Sequence, residues 1–126
     1  MVLGCDIVIA TEHAYFGLPE AKVGRLPLDG GMVLLQRLIP QKIAAGLMMT
    51  GRRLSSTEAF NYGLVNKVVP IEELDQEVDA WISDVISCAP LSIAAIKRTI
   101  ASTGHLPPND AQSLRTAALI LSLIHI

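Results

Sequence analysis

The segment FGLPEAKVG, Phe16 to Gly24, sets one carboxylate, Glu20, directly after a proline in a loop bounded by glycines. Most loop glutamates are solvated charges. The setting of this one is stiffer. Pro19 fixes its own φ and restricts Leu18 before it. Gly17 and Gly24 permit close backbone approach. The flanking Phe16, Leu18 and Val23 are apolar. A carboxyl group held against apolar walls is desolvated, which favours its neutral form. Such an acid suits proton transfer near neutral pH. Proton transfer to carbon or water commonly takes a second acid or base, and none stands beside Glu20 in the sequence.

The other reactive side chains read as structural. His13 and His105 have no partners at useful spacing and are expected at the surface. Cys5 reads as a small buried hydrophobe. Cys5 and Cys88 cannot form a disulfide framework and lack metal-ligand spacing, so no metal site is expected. Asp29 sits just before Gly30-Gly31 and reads as an N-cap. Arg52-Arg53 and Lys97-Arg98, the basic pairs of the chain, are expected to be solvated.

The elements that must hold Glu20 follow from periodicity and punctuation. CDIVIA, Cys5 to Ala10, is a β-branched run of the buried-strand type. Ala14 to Phe16 continues as a short extended piece. LPEAKVGRLPLDGG is constrained but irregular, with two prolines and three glycines. A helix is expected from about Gly30, with Val33, Leu34 and Leu38 on its apolar face. Pro40 opens the next helix, with Ile43, Ala44, Leu47 and Met48 on one side, and Thr50-Gly51 ends it. Ser55 and Glu58 form a capping box, and Gly63 supplies a stop. LVNKVV alternates as a strand from Leu64 to Val69, closed by Pro70. Beyond Pro70 the character is helical: Leu74, Val78, Trp81, Ile82 and Val85 mark an amphipathic helix over 71–87. Pro90 opens another, carrying Ile93, Ile96 and Ile100 and closed by Gly104. Asn109 can cap a third, with Ala111, Leu114 and Ala118.

The chain has 126 residues, 51% of them apolar, with ten basic and twelve acidic residues giving a net charge of −2. That scatter of charge leaves no footprint for nucleic acid or an anionic membrane. Mean hydropathy is +0.45, yet no apolar run approaches the roughly 18 residues a membrane span needs. The surplus apolar surface is expected to meet another subunit or further sequence. MVLGCDIVIA lacks a basic n-region and is interrupted by Asp6, so it does not read as a signal peptide. Cysteine usage favours a reducing compartment, expected to be the cytoplasm, with the mitochondrion as the alternative.

CDIVIATEHAYFGLPEAKVGRLPLDGGMVLLQRLIP, then MTGRRLSSTEAFNYGLVNKVV, then APLSIAAIKR together resemble the enoyl-CoA hydratase/isomerase (crotonase) superfamily. The order and spacing of FG-x-PE-x-x-x-G-x-x-P-x-x-GG and TG-x-x-x-x-x-x-EA-x-x-x-GLVN carry the resemblance. It extends over residues 1–119. LPEAK, MTGRR and APLSIAAIK are most similar to the carnitinyl-CoA (crotonobetainyl-CoA) dehydratase-like branch.

The resemblance implies an α/β fold, the C-terminal part of a spiral of ββα units followed by a helical trimerisation region and truncated at the N-terminus. Residues 1–70 are then the remainder of the spiral and 71–120 the oligomerisation region, in a homotrimer or hexamer. LSLIHI, residues 121–126, lacks a cap or turn and is what a common sequencing adapter encodes in frame, so it is expected to be adapter read-through. The implied substrate is an acyl-CoA thioester. The implied reaction is reversible syn addition of water to the 2,3-double bond, without a cofactor, coenzyme A being part of the substrate. In the family two backbone N–H groups hold the thioester oxygen as charge builds there, and two glutamates flank the water.

Glu20 matches the second of these glutamates, and Leu18, Pro19, Leu28 and Asp29 are the implied substrate-binding positions. The first glutamate would fall just before Met1, and the N–H donors further upstream, so Met1 is expected to be an internal methionine and residues 1–126 inactive alone. Leu28 stands where isomerases of the family carry a proton-transferring aspartate, which disfavours that chemistry. The alternatives are an isomerase or decarboxylase on the same scaffold, or a non-catalytic oligomerisation module.

Overall fold

The computed structural model describes residues 2–111, which fall into two compact units, one through Val78 and one from Asp79 onward. The first unit is built around a parallel pair, β1 (Ile9–Thr11) and β4 (Lys67–Val69), in the register Ile9↔Lys67, Ala10↔Val68, Thr11↔Val69. The connection between them carries every other element of the core: β2 (Tyr15–Gly17), α1 (Gly31–Leu38), α2 (Gln41–Thr50), β3 (Arg53–Ser55) and α3 (Ser56–Asn61). β2 and β3 form a separate antiparallel pair, Phe16 opposite Leu54. The second unit holds most of α4 (Leu74–Ser87) and α5 (Pro90–Thr103).

Both strands of the parallel pair are shorter than their sequence pattern. Strand geometry lasts only as far as a partner offers hydrogen bonds. Residues 5–8 lie outside β1, and Val2–Gly4 form a 3₁₀ turn instead, closed by Cys5 N–H to Val2 O at 3.0 Å. Cys5 is exposed, not a buried core residue. At the other strand, Asn66 ends the ladder by exchanging bonds with Val8. Its Oδ1 accepts from Val8 N–H at 2.8 Å, while its own N–H donates to Val8 O at 2.7 Å.

Helix α1 also departs from expectation. Its buried residues are Gly31 and Leu35, and Ile39 just beyond it is buried too, a spacing of four that makes one stripe. Val33 and Leu38 are exposed. With Met32, Val33, Leu34 and Leu35 consecutive, periodicity alone does not fix which face turns inward. α2 matches its expected face: Ala44 is fully buried, with Ile43, Leu47 and Met48 packed against the core. Pro40 serves as its N-cap, one residue ahead of the expected position, and Gly51 ends it in the left-handed region at φ 61°.

Ala10, Leu35, Ile39, Ala44, Leu54, Ala59, Leu64 and Val65 form the core. Ser56, fully buried, clips α3 to the strand side of it. Its Oγ donates to Glu12 O at 2.8 Å and its N–H to Ala14 O at 3.1 Å. No residue of α4 or α5 is buried, Trp81 is half-buried, and Ile82, Ile86, Leu91, Ile96 and Ile100 are exposed. Lys67 Nζ meets Glu77 Oε2 at 2.7 Å near the start of α4. Among the described residues no single helix is long and apolar enough to cross a membrane. Most of the expected third helix, and residues 121–126, lie outside the described residues.

The capping box forms as its spacing predicts. Glu58 N–H donates to Ser55 Oγ at 3.2 Å, and Ser55 N–H returns a bond to the Glu58 carboxylate at 2.9 Å. The backbone bond from Ser55, then its hydroxyl, holds the Glu58 carboxyl below its ordinary 4.5. Because the folded value is the lower one, this contribution is present above the unfolded value and disappears as pH falls through the folded one. Ser55→Ala is expected to cost about 1 kcal/mol in urea unfolding. The wild-type urea midpoint should also fall more steeply below pH 4.5 than that of Glu58→Gln; parallel profiles would show that the box does not matter.

Candidate active site

The segment around Glu20 folds as a 3₁₀ turn, Pro19–Val23, which the sequence reading leaves as irregular loop. Its signal was present: Pro19 occupies the first turn position and Gly24 closes it in the left-handed region at φ 68°. Arg25 N–H donates to Glu20 O at 2.9 Å, so the turn is fastened through the backbone of the acid itself. Leu18 serves as N-cap residue, without a side-chain bond.

Three contacts fix this turn in space. Gly17 lies so close to the β3 side that an added Cβ would meet Arg52 O at 3.3 Å. Gly31, at the start of α1, abuts the Leu18 side chain and buried Pro27; a Cβ there would come within 2.7 Å of Pro27 Cβ and 3.3 Å of both Leu18 methyls. The Lys22 stem packs on Gly51, where a Cβ would come within 2.9 Å of its Cε. The turn is thus gripped by β3, by α1 and by the end of α2.

These contacts frame a cavity of about 360 Å³. Its walls are Phe16 and Leu18 with Leu35, Leu47, Leu54 and Leu64, and its lining also includes Val2, Leu3, Tyr15, Gly17, Pro27 and Gly31. Two carboxylates line it, Glu20 and Asp29, and no Lys, Arg or His does. Glu20 Oε2 is buried and has no hydrogen-bond partner among the described residues. An unsatisfied buried acceptor costs about 1–3 kcal/mol, and native proteins keep few of them. Here the acceptor faces a cavity where a donor can be supplied from outside the protein.

Of the residues picked from sequence, the structure brings Leu18, Glu20 and Asp29 to this cavity. Pro19 and Leu28 are not among its lining; Pro19 acts through the turn, and Leu28 is 73% exposed. Asp29 is not the cap of α1. Gly30 holds that position at φ 89°, with no side-chain cap bond. The walls Leu35, Leu47 and Leu54 come from α1, α2 and β3, and Leu64 from the loop before β4, so no local mark in the sequence joins them. His13 and His105 are exposed, as expected. Among the described residues no group of three His, Cys, Asp or Glu is placed to hold a metal ion.

The arrangement is a tight turn that presents an acid to a leucine-walled cavity on an α/β scaffold. Residues 1–123 match the enoyl-CoA hydratase/isomerase family, and the chain belongs to it. The carnitinyl-CoA dehydratase of Salmonella typhi is 39% identical over 110 residues, 87% of this chain and 42% of that one. The enoyl-CoA hydratase of Bacillus anthracis superposes with a TM-score of 0.92 at 33% identity, over 98% of this chain and 48% of that one. That of Mycobacterium tuberculosis H37Rv does so at 0.88 and 29%, over 94% and 47%. The chain therefore spans about half the length of the relatives it matches or less. The family resemblance, its dehydratase-like branch and the crotonase fold read from the sequence agree with these findings.

Gly31→Ala is expected to lower stability by about 1–3 kcal/mol, since neither the Pro27 ring nor the Leu18 fork can yield freely. Gly46→Ala is the control. Gly46 lies within α2, where an added Cβ meets nothing within 4 Å, so it should raise stability by roughly 0.5–1 kcal/mol. Urea unfolding of the two variants checks both signs.

Proposed function

We propose that this chain carries the Glu20 half of an acyl-CoA hydratase/dehydratase site. The reaction is reversible syn addition of water to a 2,3-unsaturated acyl-CoA thioester, with crotonobetainyl-CoA and carnitinyl-CoA as the substrate pair. The observation that carries this reading is the buried Oε2 of Glu20, without a hydrogen-bond partner among the described residues, at the edge of a leucine-walled cavity. In the hydration direction water gives its oxygen to Cβ and a proton reaches Cα; a carboxyl group positioned at the cavity gives or takes one of these protons. The 3₁₀ turn supports this role by holding the acid rigidly, which spares reorganisation at the moment of transfer. The second acid and the two N–H donors implied by the family resemblance would lie on sequence outside residues 1–126.

Leucine at position 28 supports hydration over aspartate-dependent isomerisation, because its side chain cannot move a proton. The exposed apolar residues of α4 and α5 support assembly into a homotrimer or hexamer. The cytoplasm remains the proposed compartment, and no cofactor is invoked.

In the protein expressed from its full reading frame, Glu20→Gln is expected to lower kcat/KM for crotonyl-CoA hydration by about 10²–10⁴-fold. Glutamine keeps the volume, so the melting temperature should not fall. A fully active variant would sink the assignment of Glu20. Residues 1–126 alone should leave crotonyl-CoA unchanged, read by loss of the enoyl absorbance; turnover by them would show that no outside acid is needed.

A further inference from the structure

We propose that Lys22 is a positioning residue for the Glu20 carboxyl, acting through its aliphatic stem laid across Gly51 at the end of α2. This rests on the hydratase reading above. Lys22 is absent from the cavity lining, so it acts through the turn and not by touching substrate.

The Glu20 turn is seated at its front end, where Gly17 lies against Arg52 O and Leu18 against Gly31. Its own bonds, Arg25 N–H to Glu20 O at 2.9 Å and Gly24 N–H to Ala21 O at 3.3 Å, close it on itself without tying it to another element. Its far end is not held by burial. Ala21, Val23 and Gly24 are exposed, and a Cβ on Gly24 would meet nothing within 4 Å. A five-residue turn held at one end can pivot, and a pivot swings the carboxyl away from the cavity that it lines.

Lys22 supplies the second hold. Its stem lies along Gly51, where a Cβ would come within 3.0 Å of Cγ, 3.1 Å of Cδ and 2.9 Å of Cε. A lysine stem can lie on a surface in this way while its ammonium stays in water. The surface it uses is itself locked. Gly51 N–H donates to Leu47 O at 2.9 Å, Thr50 Oγ1 donates to Gly46 O at 2.6 Å, and Arg52 N–H donates to Thr50 Oγ1 at 3.3 Å. Leu47, one turn earlier in α2, is a wall of the cavity. The stem therefore ties the far end of the acid's turn to a helix that builds the cavity. The left-handed φ of 61° at Gly51 would also admit asparagine. The bare Cα is what the stem requires.

The test measures crotonyl-CoA hydration by the protein from its full reading frame. Lys22→Ala is expected to lower kcat roughly ten- to a hundredfold, the cost of a misplaced catalytic group, with KM within about twofold of wild type. Lys22→Met, which keeps an unbranched stem without the charge, should recover most of that loss. Gly51→Asn reaches the same contact from the helix side. Asparagine tolerates the left-handed backbone and its side chain displaces the stem, so kcat should fall while the melting temperature holds. In the variant carrying both Lys22→Ala and Gly51→Asn the two losses should not add, because both remove one contact. Unchanged kcat in Gly51→Asn or in Lys22→Ala, a loss carried by KM, additive losses, or no recovery in Lys22→Met overturns the positioning role while the hydratase reading stands. If Lys22→Ala loses its fold, Gly51→Asn and Lys22→Met decide. Failure of wild type to hydrate crotonyl-CoA overturns the hydratase reading and the role of Lys22 with it.

Discussion

The close approach of Gly31 to Leu18 and Pro27 is the contact on which the site depends. It joins the first turn of α1 to the residue that begins the Glu20 turn, with no room for a single methyl group. Leu18 is at once the entry to that turn, a wall of the cavity and the surface against which α1 seats. Because the three functions share one side chain, the helix cannot shift without moving the acid. Protein interiors transmit small displacements in this way because they are packed to crystal density. The same helix buries Leu35 in both the core and the cavity wall. The position of Glu20 is thus set by the hydrophobic core rather than by hydrogen bonds to its carboxylate.

The two strand pairs complete this arrangement from the opposite side. β2 leads directly into Leu18, and its pairing with β3 sets Gly17 against Arg53. β3 continues without a break into the capping box of α3, and the Ser56 hydroxyl returns to Glu12 just after β1. A chain of local bonds therefore runs from the parallel pair to the floor of the cavity. Each link is short in sequence or closed by a backbone group, so its geometry varies little. Glu20 Oε2 is the buried side-chain atom left without a hydrogen-bond partner among the described residues, and such atoms are few in native proteins.

What the sequence made legible was local. The Ser55–Glu58 box, the Gly51 and Gly63 stops and the face of α2 each depend on residues within one or two turns, and each appears as read. The misreadings share the opposite character. β1 is shorter than its apolar run because its length is decided by Asn66 and β4, Asn66 standing 58 positions beyond Val8. The α1 face differs from its expected one because four consecutive apolar residues let tertiary contacts choose. Asp29 has the residue type of a cap, but Gly30 holds that position in the left-handed geometry. Glu20 was found because proline and glycine bracket it, whereas the Leu47, Leu54 and Leu64 walls came from distant elements that no local pattern joins.

Helices α4 and α5 extend the same reasoning to the rest of the chain. Their apolar residues recur at helical spacing, yet no residue in either helix is buried. Helices of 14 residues are marginal on propensity alone, so their stability must come mostly from packing of the apolar face. Ile86 and Ile100, on different helices, are among the more exposed large side chains of the chain. In these helices the sequence pattern specifies burial that the described residues do not provide. The core of the first unit explains the placement of Glu20 without it. The assembly proposed above would supply that burial, so substitutions there should be judged by what they do to association rather than to the Glu20 cavity.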